Sequence, residues 1–207
     1  MTLTIKVITL GEWKVNCYLI SLDSECWLID PGDESERVAS NFNLDKFKLI
    51  GILNTHGHFD HIGAVADIKE RYKIPFLIHS KDERLVNQSN LYRKIAGDSI
   101  IKKTPSIDIY LDELVSLELH NKQILVHYTP GHTNGSTCFE IDGNLFTGDL
   151  LFENKVGRTD LPGGNKNLLL TSINFVLDKF KGYRIYPGHG KSFILDENLI
   201  NKLRMTI

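Results

Sequence analysis

Apolar residues along this chain come in short runs broken by turn formers, and their spacing alternates between strand-like and helix-like. Residues 3–9, 14–20 and 25–30 are β-branched and apolar, with Gly11-Glu12 and Leu22-Asp23-Ser24 between them, which predicts an opening antiparallel meander. A short helix is expected at 34–41. The run Leu49-Ile50-Gly51-Ile52-Leu53 predicts a buried strand over 48–54, and 61–72 then carries apolar residues at helical spacing. A strand follows at 75–79, whereas 80–105 is polar and shows no clear period. Strands are predicted again at 113–119, 123–129, 136–141 and 144–148, then a helix at 166–180, a strand at 183–186 and a last helix at 196–205. Strands followed by helices in each half are compatible with an α/β arrangement of two sheets packed face to face, with helices over both outer faces.

Composition narrows the class. With 207 residues, 42% hydrophobic and 24% charged, the chain can bury a substantial core, and without linker or repeat it reads as one domain from 1 to 207. A net charge of −2 offers no field for a phosphate backbone, so nucleic acid is not an expected partner. The amino terminus lacks a basic segment ahead of an apolar core, and no long apolar run occurs, so neither a signal peptide nor a membrane span is expected. Cys17, Cys26 and Cys138 are an odd set within apolar runs, which fits buried thiols in a reducing, cytoplasmic compartment.

The chemistry is concentrated in Thr55-His56-Gly57-His58-Phe59-Asp60-His61. Imidazole and carboxylate donors together suit zinc, iron or manganese in a hydrolytic centre better than a thiolate structural site. The heptapeptide falls between the predicted strand 48–54 and the helix 61–72, so the donors occupy a strand-to-helix loop. Three later turns each set one candidate donor beside glycine after an apolar run: Pro130-Gly131-His132, Thr147-Gly148-Asp149 and Pro187-Gly188-His189. His79, His120 and His127 stand outside these motifs and are read as ordinary structural histidines.

The order His-x-His-x-Asp-His, then His, then Asp, then His, resembles the metallo-β-lactamase superfamily, and within it the short glyoxalase II-like branch, over about residues 14–190. The resemblance implies the αββα four-layer fold without the C-terminal helical domain of long glyoxalase II enzymes. It implies that His56, His58 and His132 bind one ion, that Asp60, His61 and His189 bind a second, and that Asp149 bridges them. Two divalent cations, zinc first and iron or manganese otherwise, would activate a water for attack on a carbonyl, with Asp60 and Asp149 as the catalytic carboxylates. The activity the resemblance implies is thiolester hydrolysis of the hydroxyacylglutathione hydrolase type, on a small-molecule thiolester partner for which a glutathione-derived one is a candidate. A mononuclear iron persulfide dioxygenase is the alternative, and a non-enzymatic metal or redox scaffold ranks below it.

Asp30, in Ile29-Asp30-Pro31-Gly32, has two readings: a carboxylate that orients a metal-binding histidine, or an Asx-Pro-Gly turn former. The glycine-rich stretch 150–164 carries Lys155 and Arg158 as candidate substrate contacts. In glyoxalase II the corresponding loop presents a lysine and a tyrosine, and Arg158 and Asp160 stand there in this chain. The other reading of Arg158 is an ion pair with Asp160 that stiffens the loop.

Overall fold

A computed structural model describes residues 2–112 and 114–206. The opening meander consists of β1 (Thr4–Leu10), β2 (Val15–Leu22) and β3 (Glu25–Ile29), paired antiparallel with Leu10 opposite Val15 and Ile20 opposite Trp27. Every residue of β2 is buried, because both of its faces meet an apolar layer. Cys17 and Leu19 pack outward under helices, while Tyr18, Ile20 and Leu22 pack inward against a second sheet. In β3, Cys26 and Leu28 face out and Trp27 and Ile29 face in. Each buried Leu or Ile contributes about 1.5–3 kcal/mol, and a one-residue slip would exchange the two sets, so the register is strongly specified.

After α1 (Ser35–Phe42), the strands β4 (Lys48–Leu53), β5 (Phe76–Ile78) and β6 (Ile109–Tyr110) extend the sheet in parallel, giving the order β1-β2-β3-β4-β5-β6. Between β4 and β5 lie α2 (Phe59–Ile62) and α3 (Val65–Tyr72), and between β5 and β6 lie α4 (Glu83–Asn87) and α5 (Ser89–Ile95). The second sheet is a meander of β7 (Ser116–Leu119), β8 (Lys122–Tyr128), β9 (Thr137–Ile141) and β10 (Asn144–Gly148). It continues past α6 (Lys166–Lys179) with β11 (Arg184–Pro187) parallel to β10, then β12 (Phe193–Ile194), and the described chain ends in α7 (Glu197–Thr206).

Three apolar layers hold these parts together. Val38 and Phe42 of α1 and Val65 and Ile68 of α3 cover the first sheet, and Ile173 and Val176 of α6 with Ile200 and Leu203 of α7 cover the second. Phe139 and Phe146 meet Tyr18 and Ile29 between the sheets. This is the expected αββα sandwich.

Several boundaries differ from the sequence reading. The helix expected over 61–72 is two helices, because Ala64 N–H donates to the carbonyl of Pro31 at 3.0 Å instead of continuing the first. A Cβ on Gly63 would lie 2.2 Å from the Gly32 carbonyl oxygen, so only glycine permits that approach. The strand expected at 113–119 starts at Ser116, and Glu113 lies outside the described residues. The unassigned 80–105 stretch supplies the two short helices α4 and α5. Each motif follows the carboxyl end of a strand: 56–61 after β4, His132 after β8, Asp149 after β10 and His189 after β11. They therefore converge on one edge of the sandwich, as ligand-binding loops of parallel sheets do.

Candidate metal centre

The fold brings all seven predicted ligands together, though they span residues 56 to 189. Ligand atoms of His56, His58 and His132 lie within 4.8 Å of one another, and so do those of Asp60, His61 and His189. Asp149 stands between the two groups. Its Oδ2 is 3.7 Å from His132 Nε2 and 3.5 Å from His189 Nε2, and its Oδ1 is 3.5 Å from His61 Nε2. Asp60 Oδ2 lies 3.5 Å from His189 Nε2 and 3.8 Å from His61 Nε2. A Cβ on Gly188 would fall 2.2 Å from Asp149 Oδ1, so glycine at that turn keeps the carboxylate free to face the cluster.

Outer partners set the histidine tautomers. Thr55 spends its hydroxyl proton on Asp30 Oδ2 at 2.6 Å, so its oxygen accepts from His56 Nδ1 at 3.0 Å and leaves His56 Nε2 as a lone-pair donor. His61 Nδ1 faces Asp30 Oδ2 at 3.0 Å, His132 Nδ1 donates to the Arg158 carbonyl at 2.8 Å, and His189 Nδ1 to the Lys14 carbonyl at 3.2 Å. Asp30 also accepts from Thr55 N–H at 2.8 Å. Though grouped with His56 and His61 by distance, Asp30 is committed to these outer contacts, and it occupies the left-handed region at φ 50 as it turns into Pro31-Gly32.

What remains is a set of buried polar atoms without partners. Nε2 of His56, His58 and His61 and Oδ1 of Asp149 are buried with no hydrogen-bond partner, and His58 Nδ1 meets His132 Nε2 at 3.0 Å. A buried unsatisfied polar atom costs about 1–3 kcal/mol, so four of them on residues of one cluster fit cations that would complete the site. The donor chemistry agrees, being imidazole and carboxylate throughout.

Electrostatics divides the two groups. Burial, followed by His61, His58 and His132, holds His56 well below the usual imidazole range, and burial with His132 pushes His58 down to about 3. These rings are neutral and ready to ligate. Burial would depress His61 too, but Asp60, Asp149 and Asp30 outweigh it and raise it to about 10. His189 is raised as well, its burial overcome by Asp60 and Asp149. Burial opposes ionisation of Asp60, yet His61, His189 and His58 hold it below the ordinary carboxylate range. In the second group protons balance the carboxylates, and a metal would displace them.

Sequence reasoning missed two supports. Asp82 is fully buried and accepts from Gly57 N–H at 2.8 Å, Gly135 N–H at 2.7 Å and Thr133 Oγ1 at 2.7 Å, tying the His56/His58 loop to the loop after His132. Burial pushes its carboxyl up, and Thr133, Gly57 and Gly135 pull it back. Asn16 Nδ2 donates to the carbonyls of Pro187 at 3.0 Å and Gly190 at 2.8 Å, and Tyr18 OH to Pro187 at 2.5 Å, which fixes the turn bearing His189. Asn16 and Tyr18 lie in an apolar strand run, and nothing local in the sequence marks them as supports of the His189 turn.

The cluster opens on a cleft of about 610 Å³ that both predicted substrate contacts line, along with Trp13, Phe59, Tyr92 and Ile95. Arg158 forms a two-pronged pair with Asp160 at 2.7 and 2.6 Å, and both are exposed. Lys155 Nζ lies over the Phe152 ring, 5.1 Å from its centre. His79 stacks on Tyr128 and His127 binds Glu140 at 2.6 Å, both away from the cleft lining. Among the described residues, no helix is long and apolar enough to cross a membrane.

Comparison with known proteins gives the same picture. The chain is 31% identical over 200 residues to hydroxyacylglutathione hydrolase GloC of Haemophilus influenzae, covering 91% of each. It superposes on BLEG-1 B3 metallo-beta-lactamase with a TM-score of 0.84 and 33% identity, covering 93% of this chain and 94% of that one. On TTHA1623 in a di-iron-bound form the TM-score is 0.82 at 34% identity, covering 92% and 94%. Residues 10–189 match the family Lactamase_B, and with all seven predicted ligands gathered at one sheet edge, the chain belongs to the metallo-beta-lactamase superfamily.

Proposed function

We propose that this chain is a binuclear metal-dependent hydrolase of a small thiolester, similar in reaction to hydroxyacylglutathione hydrolase. The observation that carries the reading is the Asp149 carboxylate set between two three-residue donor groups at the floor of a cleft. His56, His58 and His132 would hold one cation, Asp60, His61 and His189 the other, and Asp149 would contact both. Bound cations supply Lewis acidity and lower the pKa of water towards neutrality. The side chains present fit zinc, iron or manganese, and the di-iron form of TTHA1623 supports a pair of ions. Asp30 and the carbonyls of Arg158 and Lys14 hold His61, His132 and His189 in the tautomers that ligation needs.

In the reaction, the water oxygen bonds to the acyl carbon, the carbon–sulfur bond breaks, and the sulfur leaves as a thiol carrying the proton. Lys155 and Arg158 are the cationic groups of the lining suited to an anionic arm of the substrate. The similarity to GloC supports a thiolester. The three buried thiols suit a cytoplasmic setting.

The test is elemental analysis of protein purified without added metal, paired with turnover of S-lactoylglutathione, a β-lactam, and glutathione persulfide with oxygen uptake. Two equivalents of metal with thiolester cleavage are expected. One equivalent of iron with oxygen uptake would replace this reading by the persulfide dioxygenase. β-Lactam cleavage without thiolester cleavage would replace it by the activity in BLEG-1's name.

A further inference from the structure

The cleft is lined unevenly. Its metal-binding residues are His58, Asp60, His132, Asp149 and His189, and the 150–164 loop adds Lys155 and Arg158 with Leu161 and Pro162. The remaining wall is Trp13, Phe59, Leu85, Tyr92, Ile95 and Ala96, with no charged side chain among them. Trp13 is 44% exposed and Ile95 72% exposed, so large apolar surfaces stand open to water beside the reactive centre. Such a surface marks a place where an apolar group is bound.

This wall is built, and its support is specific. Arg93 of α5 is buried at 3% exposure, donates to the Phe59 carbonyl at 3.1 Å and pairs with Asp98 at 2.5 Å. Its guanidinium also lies over the Phe59 ring, 5.1 Å from the centre, and Trp13 meets the same ring edge-on at 5.5 Å. One buried cation thus fastens α5 to the metal-binding loop while placing no charge on the wall. On the 150–164 loop, Arg158 is engaged by Asp160, so its positive charge is partly neutralised at its own source.

We infer that the wall of Trp13, Phe59, Tyr92 and Ile95 is an acyl subsite, and that the preferred substrates are thiolesters of an aliphatic or aromatic acyl group rather than a hydroxylated one. The inference rests on the thiolester reading above. It assigns the acyl arm to the apolar residues because the cationic lining comes from a separate segment, the 150–164 loop, which suits a polar thiol arm.

The test is a series of straight-chain acyl thiolesters, acetyl to octanoyl, on one thiol, with the metal-loaded protein. Each methylene against the wall should raise kcat/KM about three- to fourfold, and the lactoyl ester should fall below the butanoyl one. Trp13→Ala and Ile95→Ser, both at partly exposed positions, should flatten the slope far more than they lower acetyl turnover. A parallel calorimetric titration with the alkanoates acetate to octanoate reads the subsite without turnover, and affinity should climb with chain length and fall in the variants. Cleavage of acetyl thiolester with flat slopes in both series overturns the acyl subsite and leaves the thiolester reading standing. Climbing alkanoate affinity with no thiolester cleaved keeps the apolar subsite and sinks the thiolester reading. A slope that follows the alkyl length of the thiol at fixed acyl group also overturns the assignment.

Discussion

Asp82 joins two ligand-bearing loops, and its removal should be costly in a way the structure lets us size. Truncation to Ala leaves the buried N–H groups of Gly57 and Gly135 without an acceptor, whereas Thr133 Oγ1 keeps Ser136 Oγ at 2.8 Å. Two stranded donors at about 1–3 kcal/mol each give a gross loss of about 2–6 kcal/mol. Removing the carboxylate also removes its desolvation cost, which brings the expected net loss to about 3 kcal/mol. For a chain of 207 residues that corresponds to a fall in Tm of roughly 6–12 °C. Asp82→Asn keeps the shape but turns one acceptor into a donor facing an N–H, so about half the loss is expected. Urea unfolding of metal-free protein measures this. Metal titration reads the second effect: affinity should fall more at the His56/His58/His132 group, whose two loops Asp82 joins, than at the other group. If Asp82→Ala unfolds within 0.5 kcal/mol of the parent with both sites intact, the loops are held by something else and the reasoning fails.

Asp149→Ala should release more metal than His132→Ala or His189→Ala, since only Asp149 faces both groups, and a variant still holding two tight ions would refute the bridging placement. Arg158→Met leaves the peptide carbonyl that orients His132, so metal content should stay unchanged while KM for an anionic thiolester rises roughly tenfold or more with kcat nearly constant. An equal kcat loss on a neutral thiolester would show that the pair with Asp160 only shapes the loop. Burial pushes Cys26 and Cys138 up to about 12 from an ordinary 9.0, so the unfolded chain ionises these thiols first. Their contribution is complete below pH 9 and is lost as pH rises towards 12, at about 1.4 kcal/mol per unit and thiol. Urea midpoints at pH 8 and 10 should therefore diverge less in a Cys26→Ala/Cys138→Ala variant than in the parent, and parallel falls would refute this.

The ligand set was legible because its chemistry is dense and bracketed by turn formers: four donors between His56 and His61, then single donors beside Gly131, Gly148 and Gly188. The strands were legible because apolar runs such as 49–53 are too short for helices. Asp82 was not. Between Ser80-Lys81 and Glu83-Arg84 it reads as one more solvated charge, and it becomes a strut only once Thr133 and Gly135 fold against it. The break at Gly63-Ala64 was hidden for a similar reason, since helical periodicity continues across it and only the approach of the Pro31-Gly32 backbone stops the helix. The acyl wall draws on three separate segments, around Trp13, Phe59 and Ile95; two carry no motif, and Phe59 sits within the metal-ligand motif as its one apolar side chain.

The contact between His132 and residue 158 runs through a main-chain oxygen, while the side chain of residue 158 faces the cleft. Every amino acid carries that oxygen. Position 158 can therefore mutate freely, by drift or by design, without disturbing the histidine's orientation, provided the backbone keeps its path. Selection for new substrates can act on this loop while the metal site stays unchanged. A library randomised at 155, 158 and 160 would sample recognition alone, which makes this rim the natural place to begin redirecting the protein's activity.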